Sequence, residues 1–410
     1  MAYWGVAISQ RPNPLVAPFL AYEAAMARLT TNYPDDNEAA IFYALALNEA
    51  VDLSDKTYAK QFKAASILQA IEAKLPNHPG IPHYIIHSYD FAAICQQGLP
   101  AARRYADLAP TAPHALHMPS HTFSMLGMWD ESIAANIKTI AASQDYAAKN
   151  QLDGIYAAVP HSYDFMQYAY LQLGQDDKAR ALMAEAGAIN KVFRPILGSE
   201  TGLAAVPARY MLERQDWRGA AGLQIPAVVN APPARAIIYF ARALGGARSG
   251  DLAAAQTDIG KLQELKAALE KASQPYWAGQ VGVQILAAQA WLAHGQGDRT
   301  EAVKLMRAAA DLEDSSEKHV AMENRLYPMR ELLADLLMEQ NQPAAALPEY
   351  ETSMKNAPER LRGFYGAARA AAAAGDQEKS AVYFGSLVRL TRNADSDRSE
   401  IREAKHFMAR

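Results

Sequence analysis

The chain has 410 residues, half of them hydrophobic, with 20% charged residues and a net charge of −4. This length fits two or three ordinary domains or one long repeat array, and the charge gives no indication of a nucleic-acid partner. No apolar run reaches 18 residues, so we expect no transmembrane segment. The single cysteine, Cys95, excludes an intrachain disulfide and is expected to be a small buried apolar residue.

The first residues, Met1-Ala-Tyr-Trp-Gly-Val-Ala-Ile, form an apolar helical pattern with neither an N-cap nor a signal peptide. We therefore expect the natural protein to begin earlier, and the sequence indicates no compartment. Alanine is abundant and β-branched residues are sparse, which favours an almost entirely helical chain.

Histidines are concentrated between residues 78 and 165, which hold seven of the ten in the chain. Residues three, four or seven apart share one face of a helix. Three segments have such spacing: His83, His87 and Asp90; His114, His117 and His121; and His161 and Asp164. Pro119, which interrupts the second segment, is expected to kink its helix or start it late, so its three histidines need not share one ion.

A turn pattern recurs along the rest of the chain. Gly, Gln or Asn is followed five residues later by Ala or Ser, at residues 127, 174, 215, 250, 297, 341 and 375, which are 34 to 47 residues apart. We expect these residues to have positive φ and end one helix, with Asp capping the next and the small residue allowing close packing. Three less regular zones, 187–201, 224–233 and 311–328, are predicted long connections.

This pattern resembles tetratricopeptide repeats (TPRs) and covers most of the chain. The resemblance implies an all-α, TPR-like helical solenoid: one continuous domain over residues 1–410, with eight or nine antiparallel hairpins in a right-handed superhelix. In such repeats the first helix of each hairpin lines a concave groove. Counting back from the turns then places His114, His117, His121, His161, Asp164 and Glu331 at groove-facing positions.

Imidazoles on one helical face are typical ligands of transition metals such as Zn, Cu or Fe. We therefore predict metal ligands in His83, His87, His114, His117, His121, His161 and Asp90. A pocket for a polar or anionic ligand, and a structural hydrogen-bond network, are the other interpretations of the same pattern. Residues expected to orient the ligands or line the pocket are Asp164, Tyr84, Tyr163, Trp129, Glu317, His319 and Glu331, although Asp164 also suits a plain salt bridge.

Two longer sequence motifs begin at residues 78 and 112. They are His-Pro-Gly-x-x-His-Tyr-x-Ile-His-Ser-Tyr-Asp and Ala-Pro-His-Ala-Leu-His-Met-Pro-Ser-His. Together with Glu-Lys-His at 317–319 and Pro-x-Arg-Glu-Leu-Leu at 328–333, they resemble a bacterial family of TPR proteins without an established reaction. Members of that family usually carry a further repeat before Ala-Tyr-Trp-Gly, so the resemblance also implies a shortened N-terminus here.

Two functions remain open from the sequence. One is a metal-dependent enzyme of unknown reaction, with a small molecule or peptide bound in the groove. The other is a non-catalytic TPR scaffold that binds a peptide or partner protein there. An enzyme needs histidines from at least two helices around one ion with an open coordination position, whereas a scaffold needs polar groups spread along a channel.

Overall fold

A computed structural model describes residues 19–321 and 324–409. The residues before Phe19 lie outside the described residues. The expectation that the natural protein begins earlier depends on them. The chain forms two compact units. The first contains the residues up to Phe123 together with Ser316–Lys318, and the second contains Ser124–Ser315 and the chain from His319 onward.

The first unit is built from short helices. They are α1 (Phe19–Asn32), α2 (Asn37–Glu49), α3 (Ala59–Glu72), α4 (Gly80–Ser88), a 3-10 turn (Cys95–Gly98), α5 (Leu99–Leu108), α6 (Pro113–His117) and α7 (Pro119–Met125), within which the boundary falls. Tyr22, Met26 and Leu29 of α1 pack on Ala39 and Ala46 of α2. Cys95 is buried, as predicted.

The second unit has longer helices in successive antiparallel pairs. They are α8 (Trp129–Lys149), α9 (Ala158–Gln172), α10 (Asp176–Gly187), α11 (Leu197–Glu213), α12 (Trp217–Ala221), α13 (Pro232–Ser249), α14 (Leu252–Lys271), α15 (Pro275–Gly295), α16 (Arg299–Asp314), α17 (Met329–Glu339), α18 (Pro343–Asn356), α19 (Leu361–Ala373), α20 (Gln377–Leu390) and α21 (Ser399–Met408). Two parallel strands of two residues each, β1 (Ile155–Tyr156) and β2 (Val192–Phe193), pair at the start of the first long connection.

The seven predicted turns all have the expected backbone. Positive φ values of 55° to 91° occur at Gly127, Gly174, Gln215, Gly250, Gly297, Asn341 and Gly375. Each of these residues lies between two consecutive helices. The left-handed conformation ends one helix and reverses the chain into the next, which is why glycine or asparagine is favoured there.

The residue five positions after each turn is fully buried. Ala179, Ala220, Ala255, Ala302 and Ala346 have no exposed surface, and neither do Ser132 and Ser380. Asp216, Asp251, Asp298 and Asp376 each cap the second helix of a hairpin by accepting a backbone N–H three residues on. The positive φ and the small buried residue are thus found at all seven turns, whereas the predicted Asp cap is absent after Gly127, Gly174 and Asn341.

Within the described residues, the two short strands are the only β structure, and the all-α prediction is confirmed. Among the same residues, no helix combines the length and apolar character needed to cross a membrane. The three predicted long connections separate helices at α10–α11, α12–α13 and α16–α17. One continuous domain with eight or nine hairpins and a concave groove stays a prediction.

Candidate metal centre

Helix α4 carries His83 and His87 one turn apart on the same face. Ile85 and Ile86, on other faces of this helix, are buried and anchor it in the first unit. Asn48 of α2 donates its Nδ2 to the Tyr84 carbonyl oxygen (3.2 Å) and to the Ser88 hydroxyl (3.0 Å). The last turn of α4 is therefore held from two sides, which limits the movement of both imidazoles.

Pro119 begins a new helix, as predicted. Helix α6 ends at His117 and α7 starts at Pro119, so His117 and His121 belong to different helices. Their imidazoles nevertheless meet, with 3.1 Å between the two Nε2 atoms. His114, at the start of α6, instead faces a different histidine, although it shares this helix with His117.

His114 faces His83. Their Nε2 atoms are 3.1 Å apart, and one ring nitrogen from each of His83, His87 and His114 lies within 4.8 Å of the others. The His83 ring also stacks on Tyr84 and Tyr105, with ring centroids 5.0 and 5.5 Å away. Tyr84 and Tyr105 therefore limit the rotation of the His83 ring, and a role for Tyr84 beside a bound ion stays a prediction.

Asp90 joins the two histidine pairs. Its Oδ2 lies 3.0 Å from His121 Nδ1 and 3.6 Å from His87 Nδ1. Asp90 lies two residues beyond the end of α4, which corrects the prediction that it shares a helix with His83 and His87. The helix stops because the chain turns at Tyr89 (φ −109°, ψ 15°), and the carboxylate reaches the imidazoles from that turn.

The result is a continuous row of rings in the first unit, here called the imidazole row: His114, His83, His87, His121 and His117, with Asp90 beside it. Neighbouring ring centroids are 4.9 Å apart for three of the steps and 6.2 Å between His87 and His121. Two α4 residues, two α6 residues and one α7 residue supply the row, so three helices converge on it.

The environment favours the neutral form of His83 and of His114. Burial, and then the positive charges that His87 and His114 would carry, lower the pKa of His83 to about 2. Burial, followed by His87 and His121, lowers the pKa of His114 to about 4; the residue as a whole is exposed, so solvent screening tempers this effect. Burial works to raise the pKa of Asp90, but the charge and hydrogen bond of His121 outweigh it and keep the carboxyl ionised.

These features suit a divalent metal. Two imidazole nitrogens bound to one tetrahedral Zn at about 2.0–2.1 Å would be about 3.3 Å apart, close to the 3.1 Å of each facing Nε2 pair. A carboxylate on the second nitrogen of a ligating histidine is the usual arrangement, and Asp90 provides it for His121. Asp90 Oδ1 is buried and has no hydrogen-bond partner among the described residues, which leaves one anionic oxygen for a cation or water.

The two predicted site residues of the third segment lie in the second unit, on α9. The His161 ring packs edge-on against Phe165, with ring centroids 5.2 Å apart, and a side chain at position 198 would meet that ring, which accounts for Gly198. Asp164 forms a buried ion pair with Arg209 and accepts a hydrogen bond from Asn324 Nδ2 (3.1 Å). Asp164 thus forms the plain salt bridge that the sequence left open, while ligation by His161 stays a prediction.

The other predicted pocket residues of the second unit have structural contacts. Tyr163 donates its hydroxyl to Glu185 (3.1 Å), and Trp129 donates Nε1 to the Glu359 carbonyl oxygen (2.8 Å). Trp129 is buried and packs edge-on against Tyr168. These contacts hold neighbouring helices together, and a role in a pocket stays a prediction for both residues.

Glu317 belongs to the first unit although it lies 194 residues beyond Phe123. It accepts hydrogen bonds from the Tyr58 hydroxyl (2.5 Å) and Lys56 Nζ (2.7 Å), and its backbone N–H donates to the Leu53 carbonyl oxygen (2.7 Å). Burial and this carboxylate raise the pKa of Tyr58 above its usual range. Glu317 therefore completes the first unit through Tyr58 and Lys56, and contact with the metal centre stays a prediction.

His319 and Glu331 lie in the second unit. The His319 ring packs against Trp277 (5.1 Å), its Nδ1 accepts the Ala321 N–H (3.1 Å), and burial lowers its pKa. Glu331 is fully buried and pairs with two guanidinium nitrogens of Arg360 at 3.0 Å each. Both side chains have satisfied local partners, so their link to the imidazoles is not supported by these contacts.

Two residues that support the row were not predicted. Tyr105 of α5 stacks on His83 with an interplanar angle of 13°, and Asn48 of α2 holds the end of α4. Neither sits in a distinctive word, since Asn48 occurs in an ordinary alanine-rich helix and Tyr105 follows two arginines. Their roles depend on which helices meet, which a single sequence does not reveal.

Fold and site together define an all-α, TPR-like protein with a histidine cluster in its first unit. No protein-family model and no curated protein sequence matches the chain. Among solved structures, the crystal structure of yeast Tom70 matches at 11% identity, over 95% of this chain and 92% of that chain, with a TM-score of 0.34. None of these comparisons assigns a function to the chain.

Proposed function

We propose that the imidazole row of the first unit binds a divalent transition metal, Zn, Cu or Fe. The observation that carries this proposal is the pair of facing Nε2 contacts, each 3.1 Å long, on either side of Asp90. Neutral imidazoles beside an ionised carboxylate are the form in which histidines bind metal. Five imidazoles from three helices bring ten ring nitrogens together in this row, two on each of His83, His87, His114, His117 and His121.

The proposal includes a chemical role. His83, His87 and His114 bring three ring nitrogens within 4.8 Å of one another, and three histidines around tetrahedral Zn leave the fourth position for water or substrate. An ion held there would lower the pKa of its bound water and polarise a carbonyl or phosphoryl oxygen. We propose a metal-dependent enzyme of unassigned reaction on this basis, acting on a small molecule or peptide.

A chain of N–H···N hydrogen bonds between neutral imidazoles would give the same 3.1 Å separations. In that case the first unit is part of a non-catalytic scaffold whose histidines stabilise the fold. The two alternatives differ in metal content and in the effect of removing one ring. Loss of a ligand weakens metal affinity, whereas loss of a structural hydrogen bond lowers the free energy of unfolding.

The test starts from full-length protein purified without a chelator or a histidine tag. Elemental analysis gives the metal content, and Co²⁺ titration of stripped protein gives the affinity and, from the visible absorption, the coordination number. We expect at least one tightly bound ion per chain. His83→Ala and His121→Ala should each weaken the affinity more than about 100-fold, beyond the usual effect of changing a group that only orients a ligand.

The matched control is His406→Ala, which removes an exposed imidazole on α21. It should leave metal content and affinity unchanged. Absence of tight binding in the wild-type chain, or equal losses in all three variants, would reject the metal centre. A fully protein-coordinated ion with no exchangeable water would keep the metal but reject the enzyme.

A further inference from the structure

A second site lies in the second unit, remote in sequence from the imidazole row. A cavity of about 120 Å³ opens between the turn at Gln215 and the helices α13, α17, α18 and α19. Three of its lining residues are arginines, namely Arg248, Arg362 and Arg369. Its other polar lining residues are Gln215, Asp335, Glu339, Tyr350 and Tyr365.

Arg248 is held rigidly. Its guanidinium lies over the rings of Trp217 and Trp291, 4.2 and 4.0 Å from their centroids, and forms an ion pair with Glu339 through Nη2. The side chain is only 11% exposed. Its Nη1 is buried and has no hydrogen-bond partner within residues 19–321 and 324–409.

Arg362, on α19, also has an Nη1 atom without a hydrogen-bond partner among the described residues. Its Nε donates to the Tyr327 hydroxyl (2.9 Å) and its Nη2 to Asp335 Oδ2 (3.4 Å). The side chain is 5% exposed, and its Nη1 is buried without a hydrogen-bond partner in the described part of the chain. The carboxylate of Glu400 is 3.5 Å from this Nη1, an ion-pair distance rather than a hydrogen bond.

The carboxylates around the cavity are already engaged. Asp335 accepts hydrogen bonds from the hydroxyls of Tyr327 and Tyr350, both 2.5 Å long, and Glu339 is paired with Arg248. Among the lining residues, three arginines stand against two carboxylates. Leaving a buried charged donor without a hydrogen bond is costly, and two of these arginines each carry such an Nη1 atom.

We propose that this cavity binds a small oxyanion of about the size of phosphate. Oxyanions accept charge-assisted hydrogen bonds from guanidinium groups in fixed positions, and the three arginines that line this cavity would supply them. A volume of about 120 Å³ corresponds to about four water molecules at about 30 Å³ each, which suits an anion of four or five heavy atoms. Arg369, which is 54% exposed and lies 3.9 Å from Glu403, adds a third guanidinium to the lining.

The proposal is tested on the full-length chain with inorganic phosphate, sulfate and acetate as probes, each compared with chloride at equal ionic strength. Isothermal titration calorimetry gives affinity and stoichiometry, and thermal unfolding gives the rise in Tm. We expect one saturable site per chain for at least one of the three oxyanions. Preference for the tetrahedral probes would identify a phosphoryl or sulfuryl ligand, and preference for acetate a carboxylate.

Arg248→Gln should weaken binding about tenfold or more, because one charge-assisted hydrogen bond is lost. Arg362→Gln should do the same, but this side chain also supports Tyr327 and Asp335 and its loss endangers folding. Arg369→Gln is therefore the deciding variant, since its exposed pair with Glu403 should contribute less than about 1 kcal/mol to folding and its loss should reduce affinity. Arg402→Gln, an exposed arginine of α21 paired with Asp397, is the control and should bind like the wild type.

Equal effects of oxyanions and chloride would overturn the proposal. So would an affinity that is unchanged in both Arg248→Gln and Arg369→Gln, because water alone would then account for the two donors. None of these measurements involves a metal ion, so the oxyanion site and the metal centre succeed or fail independently.

Discussion

The two units bury ionisable side chains in opposite ways. In the first unit, five imidazoles stand beside one carboxylate, Asp90. In the second, the fully buried Arg360 lies between Glu331 (3.0 Å) and Glu213 (2.8 Å). Opposite charges satisfy each other within the chain, whereas neighbouring imidazoles can either hydrogen-bond one another or share a cation. The comparison therefore separates a self-sufficient ion-pair network from a histidine cluster whose partner, in our proposal, is a metal ion.

The largest effect should come from breaking the self-sufficient network. Glu331→Ala leaves Arg360 with one of its two buried carboxylates and should lower the free energy of unfolding by about 3–5 kcal/mol, measured by urea denaturation. The triple variant Glu331→Leu, Arg360→Met and Glu213→Gln should recover much of that loss, because it leaves no buried charge of this network unpaired. Arg389→Ala, which breaks an exposed pair with Glu359, should cost less than about 1 kcal/mol.

Substitutions in the imidazole row should change metal affinity instead of the free energy of unfolding. Asp90→Asn keeps the shape of the side chain but removes the charge that orients His121, so metal affinity should fall about 10- to 100-fold. Competition with a chromophoric chelator measures this change, and circular dichroism should show unchanged helical content. If Asp90→Asn unfolds the first unit while metal binding is absent from the wild type, the row resembles the second unit's network after all.

A change in a turn sets the scale for residues that take part in neither arrangement. Gly297 has φ of +90° and open space around its missing Cβ, so Gly297→Val meets backbone strain alone. We expect a loss of about 1–2 kcal/mol in the free energy of unfolding. An unchanged melting temperature would show that the left-handed conformation is not required at this turn.

The smallest effect is expected from one isolated imidazole, His319. Burial lowers its pKa in the folded state below the ordinary 6.5, so the unfolded chain binds the proton more readily. The contribution of His319 to the free energy of unfolding is therefore fully present above pH 6.5 and is lost as the pH falls below that value. His319→Gln should flatten the pH dependence of urea unfolding between about pH 7 and 5; a parallel curve for the variant would assign that dependence to other groups.

Local patterns in the sequence predicted the turns well. A turn residue, a capping Asp and a small residue at plus five lie within six positions, so no distant partner is needed to specify them. The helix break at Pro119 is local for the same reason. The all-α class and all seven turns could therefore be predicted before any contact between helices was known.

Pairings between distant residues could not be predicted from spacing. His114 meets His83 of α4 instead of its neighbours His117 and His121, although His117 lies on the same helix. Asp164 lies in the same motif as Asp90, His-Ser-Tyr-Asp-Phe, yet it binds Arg209, which lies 45 residues further on. The same short motif therefore has different roles at its two positions, because different helices pack against it. Which helices pack there depends on the path of the chain.

The segment Ser316–Lys318 makes the first unit discontinuous in the sequence. A ribosome delivers Tyr58 early, but its acceptor Glu317 emerges only after 258 intervening residues have been synthesised. The buried Tyr58 hydroxyl therefore lacks its acceptor until Glu317 has been synthesised, and the first unit cannot form all its native contacts before then. A fragment that ends at Phe123 would carry every ring of the imidazole row and still lack a part of its own unit.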